Sequence, residues 1–140
     1  MDILREEEIR NNFKKHPFLE LIGARLVNVE KGRVSLELNK RQELTQMFGY
    51  LHGGVLASIA DSACCNAAST MLDMGWHVVT VELKTNYLRP ASSNGIRVEA
   101  SVLKAGKSLV VSEAEIFDME TGKLLNKTMA TLKPVEIKKR

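Results

Sequence analysis

Alternation of apolar and polar side chains predicts strands along most of this chain. In residues 33–38, Val34, Leu36 and Leu38 alternate with polar side chains, which is the period-two pattern of a strand with one buried face. Glycine, proline and other turn residues fill the short breaks between such runs. We therefore predict an antiparallel sheet whose last four strands follow one another as a meander. The other strand-like runs cover residues 24–30, 78–88, 96–103, 108–117 and 124–133.

Two segments have helical patterns instead. Residues 1–16 place apolar side chains near one face of a short amphipathic helix, which the dipeptide His16-Pro17 ends. Residues 53–72 contain no proline, are rich in Ala, Ser and Cys, and have no charged face, which predicts a long central helix wrapped by other backbone. Because the helices do not alternate with the strands, the order favours an α+β fold over a parallel doubly wound one.

Composition narrows the class of protein. The 140 residues are 44% hydrophobic, which suits one domain spanning residues 1–140 and excludes global disorder. No apolar run approaches the roughly 20 residues that span a bilayer, and no secretory signal is visible, so we expect a cytoplasmic protein without membrane contact. The net charge of +3 is scattered except for a basic tail at 134–140, which argues against nucleic-acid binding. The adjacent Cys64 and Cys65 are expected to be reduced packing residues.

Asp61 is unusual for its surroundings. It is the only formally charged side chain between Glu43 and Asp73, and it lies inside the small-residue helix. An ionised carboxylate is costly to bury without a partner. Two interpretations remain open at this point: a structural aspartate that is hydrogen-bonded nearby, or a catalytic carboxylate that acts as base or nucleophile.

The start of the same helix is a second candidate for chemistry. His52 is followed by Gly53 and Gly54, and a helix N-terminus presents unpaired N–H groups with a partial positive charge. Glycine lets a ligand oxygen approach that backbone, as an oxyanion would. The alternative is that the two glycines only make a tight turn into the helix.

The distance between these features predicts a dimer. Gly53 and Asp61 are eight residues apart, which is about 12 Å along a helix. A base or nucleophile must lie within roughly 3 Å of its reacting partner. If both features act on one carbonyl, each copy must therefore supply its helix N-terminus to the aspartate of the other.

The stretch HGGVLASIAD, followed by TVELKTNYLRPA and KAGKS, closely resembles the PaaI-type acyl-CoA thioesterases of the hotdog fold. The resemblance runs from about Phe18 to Pro134. It implies a long helix wrapped by a curved antiparallel sheet, dimers whose sheets join edge to edge, and tetramers built as pairs of dimers. It also implies hydrolysis of an acyl-CoA to a free acid and CoA, with no metal or redox cofactor.

The resemblance implies a role for each matching residue. Gly53 would supply the N–H that polarises the thioester carbonyl, and Asp61 of the facing protomer would be nucleophile or general base. His52 would lie beside the carbonyl or orient neighbouring groups. Thr80 would help to place the attacking water, and Gln46 stands where many relatives carry Asn. The expected CoA-binding residues are Gly54, Arg89, Pro90, Lys104, Gly106, Lys107 and Ser108.

Two other functions are alternatives to hydrolysis. A hotdog dehydratase or hydratase would pair a histidine with a carboxylate in motifs that this chain lacks. A protein that binds acyl-CoA without turnover would have less need for Asp61 in a low-polarity helix. The three histidines lack metal-ligand spacing. The acyl group, and the choice between CoA and an acyl-carrier protein, are left open.

Overall fold

The structure is a computed structural model that describes residues 1–137. Three α-helices, one 3-10 turn and six strands make up these residues. In chain order they are α1 (Ile3–Lys14), α2 (Pro17–Ile22), β1 (Arg25–Glu30), β2 (Arg33–Asn39), the 3-10 turn (Gln42–Leu44), α3 (Gly53–Ser69), β3 (Trp76–Tyr87), β4 (Gly95–Ala105), β5 (Val110–Asp118) and β6 (Leu124–Glu136).

The six strands form one antiparallel sheet in the order β1-β2-β4-β5-β6-β3. Strands β4, β5 and β6 are a meander, but β3 is not its first member, so the prediction of a four-strand meander is wrong. The segment between β3 and β4 is no hairpin, because it passes the start of α3, where the Leu51 N–H donates to the Ala91 carbonyl at 3.0 Å. The crossover leaves β3 at one edge, paired with β6 alone.

Helix α3 packs across one face of the sheet. Its buried side chains are mostly small, including Ala60, Ala63, Ala67 and Ala68, so the strands approach its backbone closely. Strand β5 alternates buried and half-buried residues along its length, as a strand beneath a helix should. The predicted α+β architecture with a central helix is confirmed.

The chain ends differ from expectation in detail. Pro17 does not only end the first helix; it begins α2, where a proline at the first helical position costs no hydrogen bond. At the other end β6 continues to Glu136, so part of the basic tail expected at 134–140 is strand. Residues 138–140 of that tail lie outside the described residues. Among residues 1–137, no helix has both the length and the apolar character to cross a bilayer.

Candidate active site

The amino end of α3 leaves one backbone donor free. His52 is the N-cap, and its Nδ1 accepts the Gly54 N–H at 2.8 Å. The Val55 N–H donates to the His52 carbonyl at 2.9 Å. The Gly53 N–H has no partner among the described residues. A helix terminus carries a partial positive charge, so this amide can bind an oxygen with developing negative charge.

Tyr87, at the end of β3, lies beside Gly53 and contacts its carbonyl. Its hydroxyl donates to the Gly53 carbonyl at 2.7 Å, and its ring carbon Cε1 lies 3.3 Å from where a β-carbon on Gly53 would be. The phenol therefore fits against the glycine. Tyr87 was not among the predicted site residues, because the contact joins positions 34 residues apart and leaves no local signal in the sequence.

Gln46 shapes the loop in front of the helix. Its Oε1 accepts the N–H groups of Phe48 at 2.5 Å and Tyr50 at 3.3 Å, so its carbonyl oxygen is used within residues 46–50. A cavity of about 280 Å³ beside this loop brings together four of the predicted residues. They are Gln46, Gly53, Arg89 and Pro90.

Asp61 lies two helical turns further along α3. Its Oδ1 accepts the Thr80 hydroxyl at 2.6 Å and faces the Cys65 thiol at 3.7 Å. Burial raises the pKa of the Cys65 thiol to about 12, and the charge of Asp61 adds to the effect. Burial likewise raises the pKa of Cys64. Cys65 is therefore protonated at neutral pH and donates to Oδ1 of the carboxylate, and Oδ2 has no partner within residues 1–137.

One chain keeps these two groups apart. Asp61 is half-buried on the exposed side of α3, next to the free edge of the sheet at β3. The helical rise puts it about 12 Å from Gly53. The structure therefore joins Asp61 with Thr80, and joins Gly53 with Gln46, but does not bring the two pairs together.

The predicted CoA-binding residues also fall into two groups. Arg89 and Pro90 lie near Gly53, and the Arg89 Nη1 donates to the Leu124 carbonyl at 2.7 Å. The turn between β4 and β5 lies at the other end of the sheet, where Val110 shares a row with Leu132 and Thr80. That turn carries Lys104, Gly106, Lys107 and Ser108.

Gly106 has a steric role in this turn. A β-carbon there would lie 2.9 Å from the Leu109 carbonyl oxygen, so any side chain would force the turn to move. The neighbouring side chains of Lys104, Lys107 and Ser108 are exposed. Within residues 1–137, no three His, Cys, Asp or Glu side chains are grouped to hold a metal ion.

Comparison with known proteins identifies the family. A family model described as the thioesterase superfamily matches residues 48–125, which include His52, Gly53, Asp61 and Thr80. The chain belongs to this superfamily. A 1,4-dihydroxy-2-naphthoyl-CoA hydrolase of Listeria monocytogenes is 36% identical over 106 residues, which cover 76% of this chain and 85% of that relative. Human acyl-coenzyme A thioesterase 13 is 31% identical over 121 residues, covering 85% and 86%.

Solved structures agree with this assignment. A thioesterase family protein from Silicibacter pomeroyi superposes with a TM-score of 0.90 and 32% identity over 94% of this chain and 98% of the other. The E. coli PaaI protein superposes with a TM-score of 0.86 over 96% of each chain, and at 18% identity this likeness shows the fold. The expected hotdog fold and the resemblance to PaaI-type proteins are confirmed. This thioesterase superfamily member is an enzyme that hydrolyses thioesters.

Proposed function

We propose that this thioesterase hydrolyses an acyl-CoA to a free acid and CoA. The names of its relatives in Listeria monocytogenes and Homo sapiens, one a naphthoyl-CoA hydrolase and one an acyl-CoA thioesterase, support CoA as the thiol. The observation that carries the proposal is that α3 presents both a backbone hydrogen-bond donor and a carboxylate. A free amide at Gly53 and an open carboxylate oxygen at Asp61 both lie beside an unpaired sheet edge.

The Gly53 N–H polarises the thioester carbonyl and stabilises the oxyanion that forms on attack. This role is supported by the hydrogen bonds around it, since His52 occupies the Gly54 amide and Tyr87 occupies the Gly53 carbonyl. His52 is thus a positioning residue that keeps the helix terminus in shape. Preorganised donors of this kind need no rearrangement at the moment of reaction.

Asp61 of the facing protomer drives the attack. As nucleophile, it displaces the CoA thiolate and forms a mixed anhydride, which water then hydrolyses to the free acid. As general base, it takes a proton from the water that attacks the carbonyl carbon, and the CoA thiolate leaves. The Thr80 hydroxyl and the Cys65 thiol both engage Oδ1, which supports a reactive role for Oδ2. A carboxylate held from one side has its orientation set before substrate binds.

The assembly that completes the site is a dimer joined through β3, with the tetramer as a pair of such dimers. In that dimer the Gly53 end of one protomer lies by the Asp61 of the other, as the 12 Å separation requires. Arg89 and Pro90 of one protomer and the β4–β5 turn of its partner would then contact the same CoA molecule. In that turn, Lys104, Lys107 and the backbone amides around Gly106 suit the phosphates of CoA.

The test is release of free thiol from a panel of acyl-CoAs. Asp61→Asn keeps the size of the side chain and an oxygen that can accept from Thr80, but removes the charge. We expect its kcat to fall at least about a hundredfold, the range seen when a base or nucleophile is lost. Asp73→Asn, in the exposed loop after α3, is the matched control and should retain wild-type rates. Equal rates for Asp61→Asn and wild type would make Asp61 structural.

A further inference from the structure

Helix α2 carries apolar side chains both in the core and on the surface. Leu19 and Ile22 are 1% and 3% exposed and anchor the helix. Phe18 and Leu21 are 43% and 69% exposed on the same six-residue helix. Exposed apolar side chains that lie together usually mark a binding surface, so we expect Phe18 and Leu21 to contact a ligand or a partner.

Phe18 and Leu21 form one wall of a crevice of about 650 Å³. Leu44 and Val55 extend its apolar surface, and Gly54 and Ser58 of α3 line its other side. Ligand sites of roughly 300–1,000 Å³ with apolar walls and a few polar groups are typical of small-molecule binding. The crevice therefore reaches from His52 and Gly54, which flank Gly53 at the amino end of α3, to the exposed face of α2.

A side-chain clamp fixes the geometry of this crevice. The Arg41 Nη2 donates to the Leu21 carbonyl at 2.5 Å, tying the end of α2 to the 3-10 turn. Arg41 and Glu43 lie among its lining residues, where they provide its charge, and the wall contributed by α2 is apolar. An apolar group would be buried there.

The amino end of α3 thus has a cleft on each side. Among residues 1–137, the smaller cavity has Arg89 as its one charged lining residue, whereas the α2 crevice combines Arg41 and Glu43, whose charges are opposite, with an apolar wall from α2. A thioester carbon has two substituents, the acyl chain and the sulfur that leads to CoA. These two substituents diverge from the planar carbonyl carbon, so with the carbonyl oxygen at the Gly53 amide each cleft can hold one of them.

We propose that the α2 crevice binds the acyl group, so that Phe18 and Leu21 select apolar acyl chains longer than acetyl. This inference rests on the proposed function, since it takes the carbonyl position from it. Each methylene buried in the crevice adds apolar contact, and complete burial of one methylene is worth about fourfold in affinity.

The test is binding of S-(2-oxoalkyl)-CoA ketones by the full-length protein. These analogues keep the carbonyl but cannot be hydrolysed, and calorimetry gives their Kd as the alkyl chain is lengthened. For wild type we expect a two- to fourfold gain per methylene until the crevice is filled. Leu21→Ser and Phe18→Ser should lower that gain while the shortest ketone binds as before. Leu4→Ser is the matched control, since Leu4 is 62% exposed on α1 and lies away from the crevice.

The outcomes separate the inference from the proposed function. Equal gains per methylene in Leu21→Ser and wild type, or no gain in wild type, would overturn the assignment of the crevice. If Leu21→Ser keeps the Kd series of wild type but forms a smaller oligomer in sedimentation, a second copy of the chain covers α2. That result would also overturn the assignment of the crevice. If the Kd series depends on Leu21 but the wild type hydrolyses no acyl-CoA, the acyl site stands and the proposed hydrolysis falls.

Discussion

The hydrogen bonds around the start of α3 explain why one amide, and not its neighbours, is free. The Gly54 N–H is taken by the His52 imidazole and the Val55 N–H by the His52 carbonyl. Only the first helical residue, Gly53, keeps an unused N–H among the described residues of this terminus. This geometry suggests a substitution that removes one donor and leaves the helix intact.

Gly53→Pro is that substitution. Proline is well tolerated at the first helical position, and His52 already has the extended conformation, φ −60° and ψ 137°, that a residue before proline prefers. We expect kcat for acyl-CoA hydrolysis to fall about a hundredfold or more, because one oxyanion donor is lost. Thermal unfolding checks that the fold is retained.

Gly53→Ala is the control for this prediction. It keeps the N–H, and its β-carbon would lie 3.3 Å from the Tyr87 ring, so the ring must move by only a few tenths of an ångström. Its activity should stay much closer to that of wild type than the activity of Gly53→Pro. A proline variant with wild-type kcat would show that the Gly53 amide does not polarise the carbonyl.

Some of the candidate site could be predicted from sequence because its signals are local. Asp61 is the only charge in a long small-residue segment, and Gly53 opens that segment. The contacts of Tyr87 with Gly53, and of Cys65 with Thr80, join separate elements and depend on how α3 lies against β3. No pattern within either element encodes them, so they became visible only in the folded chain.

The far end of α3 is anchored by the N-terminal helix. Arg5 is buried, and its guanidinium donates to the Ser69 carbonyl at 2.6 Å and to the Trp76 carbonyl at 2.9 Å while pairing with Glu8. A cation at a helix C-terminus satisfies the last carbonyls and opposes the negative end of the helix dipole. Helix α1 thereby ties α3 to β3, the two elements that position Asp61.

His77 makes this anchor sensitive to acid. Its Nδ1 accepts the Val78 N–H at 2.8 Å and lies 2.7 Å from the Ser69 hydroxyl, and the bond from Val78 requires an unprotonated Nδ1. Burial, with the charge of Arg5, lowers the pKa of His77 below its ordinary value of 6.5. As pH falls through about 6.5 the unfolded chain takes up the proton first, so the free energy of unfolding decreases on acidification.

Urea unfolding at pH 7.5 and 5.5 measures this effect. We expect wild type to lose more stability between these pH values than His77→Asn, whose amide oxygen can accept similar bonds and does not titrate. The difference between the two proteins removes the contribution of other titrating groups. An identical loss in both would show that His77 does not carry the acid sensitivity.

The strands and the central helix were largely predictable from sequence, whereas the short helix α2 and the order of the strands in the sheet were not. Strand-like runs between turn residues, with clear period-two alternation in residues 33–38, identified all six strands, and the small-residue segment identified α3 within three residues of its observed end at Ser69. Helix α2 was missed because Pro17 can either end one helix or begin another. The place of β3 in the sheet was mispredicted, since a crossover and a hairpin can have similar loop lengths and only packing decides between them.

Among the described residues the sheet has two free edges, β1 and β3, and they differ in length and pairing. Strand β1 is six residues long and its pairing is interrupted between Leu26 and Asn28, which blunts that edge. Strand β3 is twelve residues long, with Val79 and Val81 exposed. A long apolar edge strand favours pairing with another strand, so β3 is the better edge for the proposed dimer.

Charges along β3 select a register for that pairing. If two copies pair antiparallel about a two-fold axis at Leu83, each Glu82 faces the partner's Lys84, and opposite charges across a strand pair are stabilising. An axis at Lys84 would instead place two lysines face to face. Because Gly53 adjoins Tyr87 and Asp61 adjoins Thr80, an axis between those positions also brings each amide toward the other copy's carboxylate.

Charge exchange therefore tests the dimer and its register together. Glu82→Lys makes two like-charged pairs, so we expect the dimer Kd from sedimentation equilibrium to rise about tenfold at low salt, and Lys84→Glu to do the same. The double variant Glu82→Lys with Lys84→Glu restores both pairs with their signs reversed and should return the Kd to near wild type. Additive weakening in the double variant would exclude an axis at Leu83. Unchanged association in all three variants would remove β3 as the interface.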